Sequence, residues 1–186
     1  MDVRILIQST PNPNALKFVF NMPVKTEGKV TYKSVDQCRH NPLAAALFTV
    51  SNINEVYFFD NYITVSQDGS LEWDAIEDQI KKIILEYVPA HDPDFQVEET
   101  KKQQATAPQS LEIGKINEIL DRTIRPALQM DGGDLQILSL EGNLLLVNYQ
   151  GACGSCPSST MGTLKAIESI LKDEYSPDIT VEAAMQ

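Results

Sequence analysis

Residues 96–110, Gln-Val-Glu-Glu-Thr-Lys-Lys-Gln-Gln-Ala-Thr-Ala-Pro-Gln-Ser, contain no aromatic side chain and are mostly polar or charged. Such a stretch cannot bury enough apolar surface to offset the entropy of ordering it, so it reads as a linker. This divides the 186-residue chain into an N-terminal part, 1–95, and a C-terminal part, 111–186. The two parts are not repeats of one another, and each must supply its own core. With 42% apolar and 22% charged residues, the chain has the composition of an ordinary globular protein. The fold expected is α+β: two small domains, each a small β-sheet packed with helices, joined by a flexible linker.

In the N-terminal part, Val3 to Ile7 and Leu16 to Phe20 have strand character. Between them Thr10-Pro11-Asn12-Pro13-Asn14 sets a rigid, non-helical bend. Asn41 caps a short helix with Pro42 in its first turn. Val56–Phe59 and Tyr62–Val65 form a hairpin through Asp60-Asn61. Trp73, Ile76, Ile80, Ile83, Ile84 and Tyr87 recur at helical spacing until Pro89 ends the stripe.

In the C-terminal part Ser110 is the expected N-cap of a helix carrying Ile113, Ile116, Leu120, Ile124 and Leu128, with a kink or break near Arg125 caused by Pro126. Asp131-Gly132-Gly133-Asp134 reads as a turn, which accounts for its two acids better than a paired-acid site does. Leu135–Leu140 and Leu144–Tyr149 read as strands, followed by a helix from about Ser158 to Lys172 and a last strand at Ile179-Thr180-Val181.

The net charge of −11 is spread evenly, with 8 basic and 13 acidic residues in 1–97 and 7 and 13 in 98–186. Without a basic patch, nucleic acid is excluded as a partner. No apolar run approaches the ~18 residues of a membrane span, and Met1 to Ile7 resembles neither a signal nor a transit peptide. A cytoplasmic location is expected, a processed organelle protein being the other possibility.

The chemistry is concentrated in Gly151-Ala152-Cys153-Gly154-Ser155-Cys156-Pro157-Ser158-Ser159. Two thiols three residues apart can address one metal centre if the loop between them folds tightly. Gly154 and Ser155 are small enough for that. The helix expected after Cys156 would favour thiolate, the form that binds iron or zinc. A cluster or structural zinc takes four ligands, and this chain has three cysteines and no second CxxC. The economical solution is a homodimer in which each copy supplies one CxxC. The spacing alone leaves three readings open: a metal or cluster site, a thiol–disulfide oxidoreductase, and a zinc-bridged structural dimer.

Outside this segment, Cys38 and His40 read as an incidental thiol and ring near a polar loop, and His91 as a turn residue. Trp73 reads as core or domain interface. Ser158, Ser159 and Thr160 read as caps and N–H···S support, because no His or acid is placed to activate them. Arg125 suits either an ion pair or a partner contact.

Ile124-Arg125-Pro126, Asp131-Gly132-Gly133-Asp134 and Gly151 to Thr160, completed by Thr163-Leu164, make the run from Ile113 to Val181 resemble the NifU C-terminal domain of Nfu proteins. Thr10 to Phe18, Pro42-Leu43-Ala44, Leu47-Phe48, Ile63-Thr64-Val65 and Trp73 resemble the Nfu N-terminal domain. A departure follows Leu47-Phe48, where Val50-Ser51-Asn52-Ile53 stands in place of the family's Gly-Val pair. The resemblance implies a non-enzymatic scaffold or carrier for iron–sulfur clusters, with Cys153 and Cys156 as the metal ligands. The expected cargo is a 4Fe–4S cluster in preference to 2Fe–2S, bridged between two subunits. The expected partners are apo iron–sulfur target proteins and an upstream assembly scaffold.

Overall fold

The computed structural model describes residues 3–96, 107–154 and 157–184, with side chains left undescribed at 107–110 and 157–161. The chain divides into two compact units, Met1–Glu98 and Glu99–Gln186. Both mix helices with a sheet, so the fold is α+β in two parts.

The first unit is built on a five-stranded antiparallel sheet. Its strands are β1 (Ile5–Ser9), β2 (Ala15–Phe20), β3 (Lys25–Tyr32), β4 (Ile53–Asp60) and β5 (Tyr62–Gln67), in the spatial order β1-β2-β5-β4-β3. Phe59 pairs with Tyr62, so Asp60-Asn61 forms the expected two-residue turn. The Pro-rich bend is held by its own side chains: Thr10 Oγ1 donates to Ala15 O and Asn14 N donates to Asn12 Oδ1. Strand β3 is not visible as a periodic pattern, because Lys25-Thr26-Glu27-Gly28-Lys29 is polar and its register shifts between Lys25 and Lys29. Its strand character comes from pairing with β4, where Val30 faces Phe58 and Tyr32 faces Val56.

Helix α1 (Pro42–Leu47) starts as expected, with Asn41 Oδ1 accepting from Ala44 N at 3.1 Å. Helix α2 (Trp73–Tyr87) buries Ile76, Ile80 and Ile84 along one stripe. These close a core with Phe18, Phe58, Ile63 and Leu43. Trp73 Nε1 donates to Pro13 O at 2.8 Å, which ties the start of α2 to the Pro-rich bend.

In the second unit, α3 (Ala107–Thr123) begins three residues ahead of Ser110, inside the segment that reads as linker. The break falls at Ile124, and the chain resumes as α4 (Arg125–Met130) with Pro126 in its first turn. Proline has no N–H to give there, and none is needed in a first turn. Strands β6 (Gly133–Glu141) and β7 (Leu144–Gly151) form an antiparallel hairpin. Helix α5 (Pro157–Glu174) then carries the chain back to β8 (Thr180–Ala183), which pairs parallel to β7. Ile116, Leu120, Leu135, Leu145, Val147, Ile167 and Leu171 form a common core. No helix among the described residues is long and apolar enough to cross a membrane.

Candidate functional site

The Cys-containing loop leaves β7 at Gly151, whose φ of 63° lies in the left-handed region that glycine adopts without strain. The chain turns sharply there. Gly154 N donates to Gly151 O at 2.9 Å, and Ala152 N donates to Gly132 O at 3.1 Å. The loop is thereby laced to the start of β6. Ala152 and Cys153 are 2% and 9% exposed, so this part of the loop is a packed element and not a loose tip.

Gly133 explains why the loop can sit so close. A β-carbon at that position would lie 2.5 Å from Cys153 Sγ and 2.8 Å from both Cys153 N and Gln150 O. Those separations are far inside van der Waals contact, so any side chain here would displace the cysteine. Gly133 also pairs directly with Gly151 in the β6–β7 ladder. The two glycines of the Asp-Gly-Gly-Asp motif therefore both hold the Cys153 loop, Gly132 by accepting from Ala152 N and Gly133 through its missing side chain.

The motif's two acids do different things. Asp131 caps the C-terminal end of α4 and is exposed. Asp134, which reads in sequence as a turn residue, is instead the second residue of β6 and 1% exposed. Its Oδ1 accepts from Leu135 N at 2.6 Å and lies 3.4 Å from Arg125 Nε; its Oδ2 accepts from Gln129 Nε2 at 3.3 Å. Arg125 also donates from Nη2 to Asn117 Oδ1 at 2.7 Å and pairs with Asp121. Of the two readings open for Arg125, an ion pair and a partner contact, the described structure shows the first. Sequence reasoning missed the coupling of Arg125 to Asp134. The available signal was that both stand in short motifs flanking one helical turn.

Tyr149, four residues before Cys153, is held protonated far above its ordinary pKa, first by burial and then by the nearby Cys153. Its hydroxyl is buried without a hydrogen-bond partner among the described residues. Ser155 and Cys156 lie outside the described residues, as do the side chains of Ser158, Ser159 and Thr160.

The remaining candidates belong to the first unit. Cys38 is fully buried, donates from Sγ to Ser34 O at 3.3 Å, and has its pKa pushed up by burial to about 11. It behaves as a packed apolar group. His40 Nε2 lies 2.8 Å from Tyr32 Oη. His91 Nε2 donates to Val24 O at 2.8 Å, and burial depresses the pKa of its ring. Both rings pack against Phe95 and line a cavity of about 190 Å³ with Tyr87 and Asp92. His91 is thus a structural ring that fastens the turn after α2 to Val24, the residue before β3. No three His, Cys, Asp or Glu side chains among the described residues are placed to hold a metal.

Comparison with known proteins falls on both units. Residues 5–91 match the family described as "Scaffold protein Nfu/NifU N terminal", and residues 116–182 match the "NifU-like domain". A human protein named "NFU1 iron-sulfur cluster scaffold homolog, mitochondrial" is 32% identical over 94% of this chain and 69% of its own length. An Arabidopsis thaliana protein named "NifU-like protein 4, mitochondrial" is 30% identical over 90% of this chain and 61% of its own. The solution structure of a NifU-like protein from Saccharomyces cerevisiae covers 52% of this chain and 87% of its own, at 24% identity and a TM-score of 0.46. The chain spans 61% of the length of the Arabidopsis relative, less than two thirds, and 69% of that of the human one.

Proposed function

The chain belongs to the Nfu/NifU scaffold family, and on that premise we propose that it is a non-enzymatic carrier that holds an iron–sulfur cluster and hands it to apo-proteins. The ligands are Cys153 and Cys156, and two copies of the chain supply the four thiolates a cluster takes. The cargo is a 4Fe–4S cluster in preference to 2Fe–2S. The observation that carries this reading is the seating of Cys153. A side-chain-free position at Gly133 and two backbone hydrogen bonds, from Ala152 N and Gly154 N, hold the loop that carries this one thiol. A thiol that only filled space would need none of this, as Cys38 illustrates in the other unit.

Helix α5 begins at Pro157, directly after the second cysteine. The positive end of an 18-residue helix there favours thiolate over thiol in the preceding loop. The same field lowers the basicity of the thiolate and so weakens its hold on iron. Both effects suit a carrier that must bind and then release.

Release proceeds by ligand exchange. A recipient's thiolate forms a bond to one iron, and the bond from that iron to Cys153 or Cys156 breaks. The departing sulfur leaves as thiolate and takes a proton from solvent. No electron changes hands. Four such exchanges transfer the cluster and leave two apo chains. Upstream, an assembly scaffold loads the site by the reverse exchanges.

The test is delivery. Cluster-loaded wild-type protein restores activity to an apo 4Fe–4S enzyme in the presence of a chelator. Cys153→Ser and Cys156→Ser lose that transfer. Transfer at the wild-type rate by either variant would overturn the assignment.

A further inference from the structure

A cluster of buried charge lies behind the candidate site. Arg125 reaches three elements at once: Asn117 and Asp121 on α3, its own position at the start of α4, and Asp134 on β6. The Arg125 side chain is 12% exposed and that of Asp134 2%, so the pair is held away from water. In such surroundings a charge left without its partner is strongly disfavoured; the contact is one of charge on charge, since Arg125 Nε makes no hydrogen bond among the described residues. Asp134 is bonded in the chain to Gly133, the residue whose missing β-carbon leaves room for Cys153 Sγ. Asp134 also pairs with Gln150 in the ladder, and Gln150 O is one of the three atoms that a β-carbon at Gly133 would meet. Moving Asp134 therefore moves the floor on which the thiol rests.

We propose that Arg125 and Asp134 are positioning residues for Cys153, their buried ion pair setting where the thiol stands and how readily it opens toward solvent. Neither residue touches the cargo. The pair acts through the Gly133 backbone and through the hydrogen bond from Ala152 N to Gly132 O. Its effect on a held cluster rests on the carrier reading, but its effect on the thiol does not. A more mobile Cys153 exchanges faster with any soft metal or electrophile.

The experiment uses the full chain in a Cys156→Ser background, so that Cys153 is the reactive thiol of the second unit. Iodoacetamide alkylation of Cys153 is followed by mass spectrometry under native conditions, alongside the melting temperature. Asp134→Asn, which keeps the shape and removes the charge, is expected to raise the alkylation rate about tenfold, equivalent to about 1.4 kcal/mol of easier local opening. Arg125→Lys keeps a cation and gives a smaller rise. Arg122→Gln removes the exposed pair with Glu174, which joins α3 to α5, and leaves the Cys153 rate at the wild-type value. An Asp134→Asn rate equal to wild type, or a rise matched by Arg122→Gln, would overturn the proposal. Should Asp134→Asn fail to fold, Arg125→Lys carries the same comparison. Chelator-driven cluster loss, measured with Cys156 restored, is expected to quicken in the same order. If no variant and no wild-type protein takes up a cluster, the carrier reading fails while the alkylation rates still decide the role of the pair.

Discussion

At the scale of single residues, the site depends on what Gly133 lacks. Adding one carbon there forces Cys153 or the β6–β7 ladder to shift. Gly133→Ala is expected to destabilise the chain by about 1–3 kcal/mol, as overpacking does, and to lower cluster retention further than that loss of stability explains. Urea unfolding and a chelator challenge on the same sample separate the two effects. Cys38 gives a contrasting prediction. Its pKa rises from 9.0 to about 11 on folding because burial disfavours the thiolate. Its share of stability is therefore fully present below about pH 9 and is lost as pH climbs toward 11, an effect of about 2 kcal/mol for a shift of this size. Comparison of melts at pH 8 and pH 10.5 should show a smaller alkaline drop in Cys38→Ala than in wild type. An equal drop would mean that Cys38 is not the titrating group.

At the scale of elements, legibility followed periodicity and punctuation. Helix α2 stood out because its isoleucines recur every three or four residues and Pro89 stops it. The break before α4 could be read from Pro126 alone. Strand β3 could not be read, because its polar half is a strand only through pairing with β4. The start of α3 at Ala107 was hidden by the same composition that makes the segment before it look like a linker. Asp134 reads as a turn residue because two glycines precede it, whereas it is buried in β6 with Leu135 N, Gln129 and Arg125, the last nine residues away in sequence, as its partners. The importance of Trp73 was visible, but its partner was not. Its indole N–H fastens α2 to a carbonyl 60 residues earlier. Trp73→Phe keeps most of the apolar contact and loses that bond, so a cost of about 1 kcal/mol is expected. A cost below a few tenths, read from denaturant midpoints, would show that the Trp73–Pro13 bond is not maintained in solution.

At the scale of the whole molecule, two small α+β units share one acidic chain of net charge −11. With two site thiols per chain, a four-thiolate cluster cannot be completed by one copy. The most direct measurement is anaerobic reconstitution with iron and sulfide, followed by iron analysis and native mass of the gel-filtered species. A shared cluster gives a brown dimer with about two irons per chain, the share of a single four-iron cluster, and none in Cys153→Ser. A colourless monomer without iron, or a coloured species that persists in Cys153→Ser, would contradict it.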